Sequence, residues 1–253
     1  VLTNLRKARK YYREEGDRTQ FSLSATTGAG KTVMAAAVIE ALFFGSDEFN
    51  FEPDPGAVVV WFSDDPSLNE QSRVRLRAAS DKLDRLVPVP TTFNSLKFNP
   101  QTVYFLNTQK FSKNSLLVRG AATELDTGQE VLFSSRPDEQ QNSIWDTITN
   151  TIEDESFTLY FILDEAHRGM GTRNSERPTI VKRLINGHGT VPPLPIVWGI
   201  SATVERFENA MRDIVGRTAL PSVDVDSARV QASGLLKDDI VLEFPDKSGK
   251  FDT

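Results

Sequence analysis

Apolar residues along this chain come in two kinds of run, and the two alternate. Short continuous runs read as strands buried on both faces: QFSLS at 20–24, AVVVWF at 57–62, TVYFLN at 102–107, FTLYFIL at 157–163 and PIVWGI at 195–200. Between them lie stretches with helical spacing. Residues 1–16 read as a basic amphipathic helix, 33–44 as an alanine-rich one, and SLNEQSRVRLRAASDKLDRL as a long polar one. In SIWDTITNTI, Ile144, Trp145, Ile148 and Ile152 share one helical face. PTIVKRLING and the stretch around ERFENAMRDIV complete the series.

Strands that alternate with helices predict βαβ crossovers, hence an α/β fold with a mostly parallel sheet and helices on both faces. Two segments depart from the pattern. Residues 115–138 carry LLVRG, a polar stretch with Asp126-Thr127-Gly128, and then EVLF, which reads as a small β-hairpin insertion. The tail, VDVDSARVQASGLLKDDIVLEFPDK, reads as extended segments that leave the sheet. The expected organisation is an N-terminal helical extension over 1–19, the α/β domain over 20–215, and an exit segment over 216–253.

Composition narrows the chemistry. With 39% apolar and 25% charged residues, the chain is of ordinary globular type. No run approaches the roughly 18 apolar residues of a membrane span. The first twenty residues are basic and polar, unlike a secretory leader, so a cytoplasmic location without membrane contact is expected. A start at Val1 fits a processed or excised piece. No cysteine is present, and His167 and His188 are the two histidines; disulfides, thiolate zinc sites and histidine cages are excluded. A net charge of −6 argues against coating DNA by bulk charge, while leaving room for a local basic groove.

The stretch SATTGAGKT, Ser24 to Thr32, stands between the first strand and the alanine-rich helix. Glycines at 28 and 30 let backbone N–H groups turn inward around phosphate oxygens. The helix N-terminus adds partial positive charge. Lys31 would reach the β and γ phosphates, Thr32 would offer its hydroxyl to Mg²⁺, and Thr27, Gly28, Ala29 and Gly30 would line the loop. A phosphate loop needs a carboxylate partner at the carboxyl end of a neighbouring buried strand. FILDEAHRG supplies Asp164 for Mg²⁺ and Glu165 to take a proton from the attacking water. Ser201-Ala202-Thr203 directly follows the next strand.

Together ATTGAGKT, DEAH and SAT resemble the first three motifs of superfamily 2 helicases and translocases of the DEAH/DExH branch. The first motif commonly carries alanine where Ala25 stands. The resemblance covers roughly residues 20–205. YFLNTQKFSK, the DEAHRG continuation and RVQASGLLKDDIVLEFP resemble the type III restriction enzyme (Res subunit) branch. It implies the first RecA-like motor domain of an ATP-dependent DNA translocase or helicase of a restriction or defence system, with ATP and Mg²⁺ as cofactors. It implies that His167, Ser201 and Thr203 couple the nucleotide to the nucleic-acid side. It further implies double-stranded DNA, a second RecA-like domain in the parent chain, and a methyltransferase or specificity subunit as partners. Val204 departs from the proline that relatives often carry after SAT. Two other readings are an RNA helicase of the DEAH/DExH type and a nucleotide-dependent clamp that does not move.

Nucleic-acid contacts are expected from Arg73 and Arg77, which share one helical face at i and i+4, from Lys110 in NTQK, and from Arg168, Arg173 and Arg177 after the acidic motif. The basic run from Arg6 to Lys10 reads as a solvated helix rather than a DNA arm. No Q-x-x-R-x-x-R motif follows Thr203, and no glutamine precedes the phosphate loop at the spacing of an adenine reader. An arginine finger is typically worth about 10³–10⁵ in rate. The 253 residues alone are therefore expected to turn over ATP more slowly than about one per second in a steady-state phosphate-release assay, and a faster rate would contradict this reading.

Overall fold

In the computed structural model, which describes residues 1–112, 115–119, 141–165, 179–212 and 214–232, every buried apolar run becomes a parallel strand. The chain opens with helix α1 (Leu2–Glu15), strand β1 (Thr19–Ala25), α2 (Lys31–Phe44), β2 (Ala57–Ser63) and α3 (Pro66–Ala79). It continues through β3 (Leu86–Pro88), β4 (Thr102–Asn107), a 3₁₀ turn over Thr108–Phe111, the single turn α4 (Leu116–Arg119) and α5 (Ile144–Ile152). It ends with β5 (Thr158–Asp164), α6 (Ile180–Asn186), β6 (Ile196–Ser201), α7 (Val204–Met211), β7 (Thr218–Ala219), β8 (Val223–Val225) and α8 (Ser227–Ala232).

The strands lie in the order β3-β4-β2-β5-β6-β1-β7, with β8 also on β1. All of these pairings are parallel. Alternate residues of each strand face opposite layers, as a two-residue period requires. Val59 and Trp61 of β2 join Tyr160 and Ile162 of β5 in a core with residues of α1, α2 and α3. Val58, Val60 and Phe62 join Phe161 and Leu163 in a second core with residues of α5, α6 and α7. The α/β architecture with helices on both faces is therefore as expected.

Four local expectations need correction. The acidic strand β5 does not neighbour β1, because β6 lies between them. The long polar helix stops at Ala79. There Ser80 turns extended, its hydroxyl donates to Glu40 Oε2 of α2 at 2.6 Å, and Lys82 pairs with Glu40 at 2.9 Å. The freed Leu86–Pro88 then adds β3 to the sheet beside β4. Residues Leu116–Arg119 form a helical turn rather than a strand, with Leu117 buried in the second core. The rest of the expected hairpin, 120–138, lies outside the described residues. The tail does not leave the sheet at once. Val223–Val225 pairs with Leu23–Ala25, and Val223 and Val225 pack against the first core, the signature of a half-buried edge strand.

Two arginines fasten the end of the sheet opposite the strands' carboxyl termini. Arg217 donates to Leu194 O at 2.6 Å, Thr19 O at 2.7 Å and Pro195 O at 3.0 Å, and burial lowers its pKa to about 9. Arg13 of α1 donates to Asp54 Oδ1 at 2.8 Å and to Thr158 Oγ1 at 2.9 Å. Asp54 is fully buried and also accepts from the Tyr160 hydroxyl at 2.8 Å. Burial, with the Asp54 charge, pushes the Tyr160 phenol well above its ordinary value. Upstream on α1, Arg6 donates to Asn50 O and Arg9 to Pro53 O, and both guanidinium groups lie over the Phe51 ring. The basic helix is thus partly committed to the 50–54 segment rather than wholly solvated.

Asp54→Ala removes the acceptor shared by Arg13 and the buried Tyr160 hydroxyl. Urea denaturation is expected to show a loss of about 2–3 kcal/mol relative to the parent protein.

Candidate nucleotide site at the carboxyl edge of the sheet

Because the strands are parallel, their carboxyl ends line one edge, and the three candidate motifs follow three of those ends. Ser24 on β1 is in register with Ser201 on β6, and Ile200 on β6 with Asp164 on β5. The phosphate-loop strand and the acidic strand are two strand spacings apart, about 10 Å laterally. The SAT strand fills the interval.

β1 ends at Ala25, and the loop turns through Gly28 at φ 90° and Gly30 at φ 76°. Both lie in the left-handed region, where a side chain would be strained. Thr26, Thr27 and Gly28 are exposed, while Ala29 is buried. The first helical hydrogen bond of α2 runs from Met34 N to Gly30 O at 2.9 Å, and no side chain caps this end. The N–H groups of Lys31 to Val33 therefore point toward the loop, where they and the helix dipole favour an anion. Lys31 Nζ donates to Ala25 O at 2.9 Å and Thr26 O at 3.2 Å, so its ammonium sits within the loop. Thr32 is half-buried in the first turn. On the far side, Val230 of α8 packs with Ala25 and Ala29 in a small apolar cluster that Met34 and Val225 border.

Asp164 ends β5, half-buried, and Glu165 follows it with φ 52°. A non-glycine residue there costs of order 1–3 kcal/mol and persists only where its surroundings hold it. Ser72 Oγ of α3 donates to Asp164 Oδ2 at 3.1 Å. Burial raises the Asp164 carboxyl above its ordinary value; the Ser72 hydrogen bond opposes this and the Glu165 charge adds to it. Ser201 is fully buried at the end of β6, and its hydroxyl has no hydrogen-bond partner among the described residues. Thr203 occupies the cap position just before α7 and is exposed. α7 is seated on β6 through Phe207, whose ring lies so close over Gly199 that a Cβ there would meet it at 2.0 Å.

The remaining candidates are spread more widely. Lys110 follows β4, at the same carboxyl edge but three strands from β6 and four from β1. Arg73 forms an ion pair with Glu70 of its own helix at 2.6 Å, whereas Arg77 is exposed. His167, with Arg168, Arg173 and Arg177, lies outside the described residues.

Sequence reasoning missed Ser72, and a signal for it was present. Asn69, Ser72 and Leu76 occupy one buried stripe of α3 at spacings of three and four. Polar residues on a core stripe call for buried partners. Asn69 finds them in Ser63 Oγ and Leu106 O, both at 2.8 Å, and Ser72 in Asp164.

The donor set fits a magnesium ion. Among the described residues no cluster of three or more His, Cys, Asp or Glu forms a closed metal cage. A hydroxyl at Thr32 and a carboxylate at Asp164 are the sparse oxygen donors that Mg²⁺ takes when phosphate and water complete its shell.

No curated protein matches the chain. Among solved structures, one that matches is that of Dbp5 from S. cerevisiae with a single leucine-to-valine substitution, bound to RNA and ADP BeF3. It is 12% identical, covers 89% of this chain and 46% of its own, and has a TM-score of 0.39; this chain thus spans less than half of it. The family model for the type III restriction enzyme, res subunit, matches residues 1–206. The chain belongs to the type III restriction enzyme res-subunit family, and the matched residues are a helicase-type ATP-binding motor domain.

Proposed function

We propose that this domain binds ATP–Mg²⁺ at the carboxyl edge between β1 and β5 and hydrolyses it to drive movement on double-stranded DNA in a restriction or defence system. The observation that carries the reading is the shared edge. Lys31 and Thr32 follow one parallel strand, Asp164 and Glu165 end another, and a single strand separates them.

The residues divide the work. Backbone N–H groups at the start of α2 and the Lys31 ammonium bind the triphosphate. Thr32 and Asp164 hold the metal, which when bound neutralises charge developing on phosphate oxygens. Glu165 accepts a proton from the attacking water. Ser201, at the end of the strand between loop and carboxylates, and Thr203, just beyond it, relay the nucleotide state, with His167 as their partner. Arg77 and Lys110 contact the nucleic-acid backbone, and Arg73 joins them by exchanging Glu70 for phosphate. A second RecA-like domain supplies the arginine finger, and a methyltransferase or specificity subunit supplies target choice.

A carboxylate kept for a cation has a cost in the absence of that cation. Asp164 ionises at its ordinary value in the unfolded chain and at a raised value in the fold. Between the two values the folded state holds the extra proton, so stability falls as pH rises through that window.

With metal chelated, Asp164→Asn is therefore expected to raise the melting midpoint at pH 7 by about 2 °C, a gain that shrinks as pH falls through the raised value toward about 4. Lys31→Ala is expected to cut ATP affinity at least about tenfold, while Glu165→Gln keeps ATP bound and cuts turnover at least about a hundredfold. ATPase stimulation compared across duplex DNA, single-stranded DNA and RNA identifies the track. The proposal expects the largest response to duplex DNA. A response confined to RNA would replace it with the RNA-helicase reading, and no response to any of the three with the stationary clamp.

A further inference from the structure

Asp164 meets a side chain from a distant element of the chain. Ser72 lies 92 positions away in sequence, on the second turn of α3, and is only 6% exposed. Its hydroxyl donates to Asp164 Oδ2 at 3.1 Å. The helix that carries it is itself tied down. Asp65 caps its first turn by accepting from Ser67 N at 2.8 Å. Asn69, one turn before Ser72, bridges Ser63 at the end of β2 and Leu106 near the end of β4. Leu76, one turn after it, is fully buried in the first core. Ser72 is thus presented from a helix anchored on both sides along the same stripe.

A carboxylate at a strand end turns freely about its last bond unless one oxygen is held. Holding Oδ2 restrains the group and orients its charge before any ligand arrives, and outer hydrogen bonds of this sort commonly set metal affinity. We infer that Ser72 is a positioning residue for Asp164, tuning how tightly the site takes Mg²⁺ together with the nucleotide. The inference rests on the assignment of Asp164 as a magnesium ligand made above. It also gives α3 two duties. The inner stripe of the helix holds the metal carboxylate, and its outer surface carries Arg73 and Arg77.

A fluorescent ribose-labelled ATP titrated into the protein, first in chelator and then at increasing Mg²⁺, separates positioning from simple packing. Ser72→Ala is small and helix-compatible. It is expected to raise the half-saturating Mg²⁺ about tenfold while leaving metal-free nucleotide affinity unchanged. Ser72→Thr, which keeps the hydroxyl, is expected to restore Mg²⁺ dependence to within about twofold of the parent, in keeping with a role for the hydrogen bond itself. Asp164→Asn measured alongside tests the underlying assignment. If Asp164→Asn abolishes the Mg²⁺ effect and Ser72→Ala leaves it untouched, Ser72 is not a positioning residue. If Ser72→Ala weakens metal-free and metal-bound binding alike, its role is packing and the inference is likewise overturned. If Asp164→Asn itself leaves the Mg²⁺ dependence intact, the magnesium assignment fails first and takes this inference with it.

Discussion

Parallel registry between β5, β6 and β1 is the constraint on which the rest of the molecule depends. Asp164 is aligned with Ile200, and Ser201 with Ser24, so three chain segments far apart in sequence release their loops at one level. Slipping any of these strands by one residue would exchange its two faces, putting Trp198 or Ile162 where the other core expects its own side chains. The site's geometry is therefore enforced by apolar packing well below it. At the carboxyl edge itself the polar groups engage one another locally, Lys31 with the carbonyls of its own loop and Asp164 with Ser72.

The opposite end of the sheet bears the complementary burden. The two terminal nitrogens of Arg217 donate to carbonyls at the start of β1 and just before β6. Arg13 and Asp54 join α1 to the start of β5 through Thr158 and Tyr160. Asp54 is fully buried while Arg13 is exposed, so the pair is half in solvent, and its worth lies in satisfying the buried carboxylate.

Much of this was legible in the sequence because the relevant signals are local. The five long strands announce themselves as uninterrupted apolar runs, and the phosphate loop as glycines between strand and helix. What could not be read depends on contacts between distant residues. The place of β6 between β1 and β5 follows from crossover topology, which no local spacing encodes. The end of the third helix at Ala79 is decided by Ser80 and Lys82 meeting Glu40 on another helix, against a sequence whose own periodicity continues. The pairing of β8 with the sheet is not legible in its extended segment, because Val223 and Val225 are too few to mark an edge until β1 offers them one. At the site itself, Lys31 and Asp164 stood out by type and position. Ser72 did not, since a serine in a polar helix looks like solvent-facing filler until its stripe is traced.

The short cluster of Ala25, Ala29 and Val230 gives alanine in the phosphate loop a spatial meaning. Helix α8 rests on that loop, its Val230 buried against the methyl groups at 25 and 29. The small residues there form an apolar seat, so one wall of the loop is built by a helix that follows β8 and lies about two hundred positions further along the sequence.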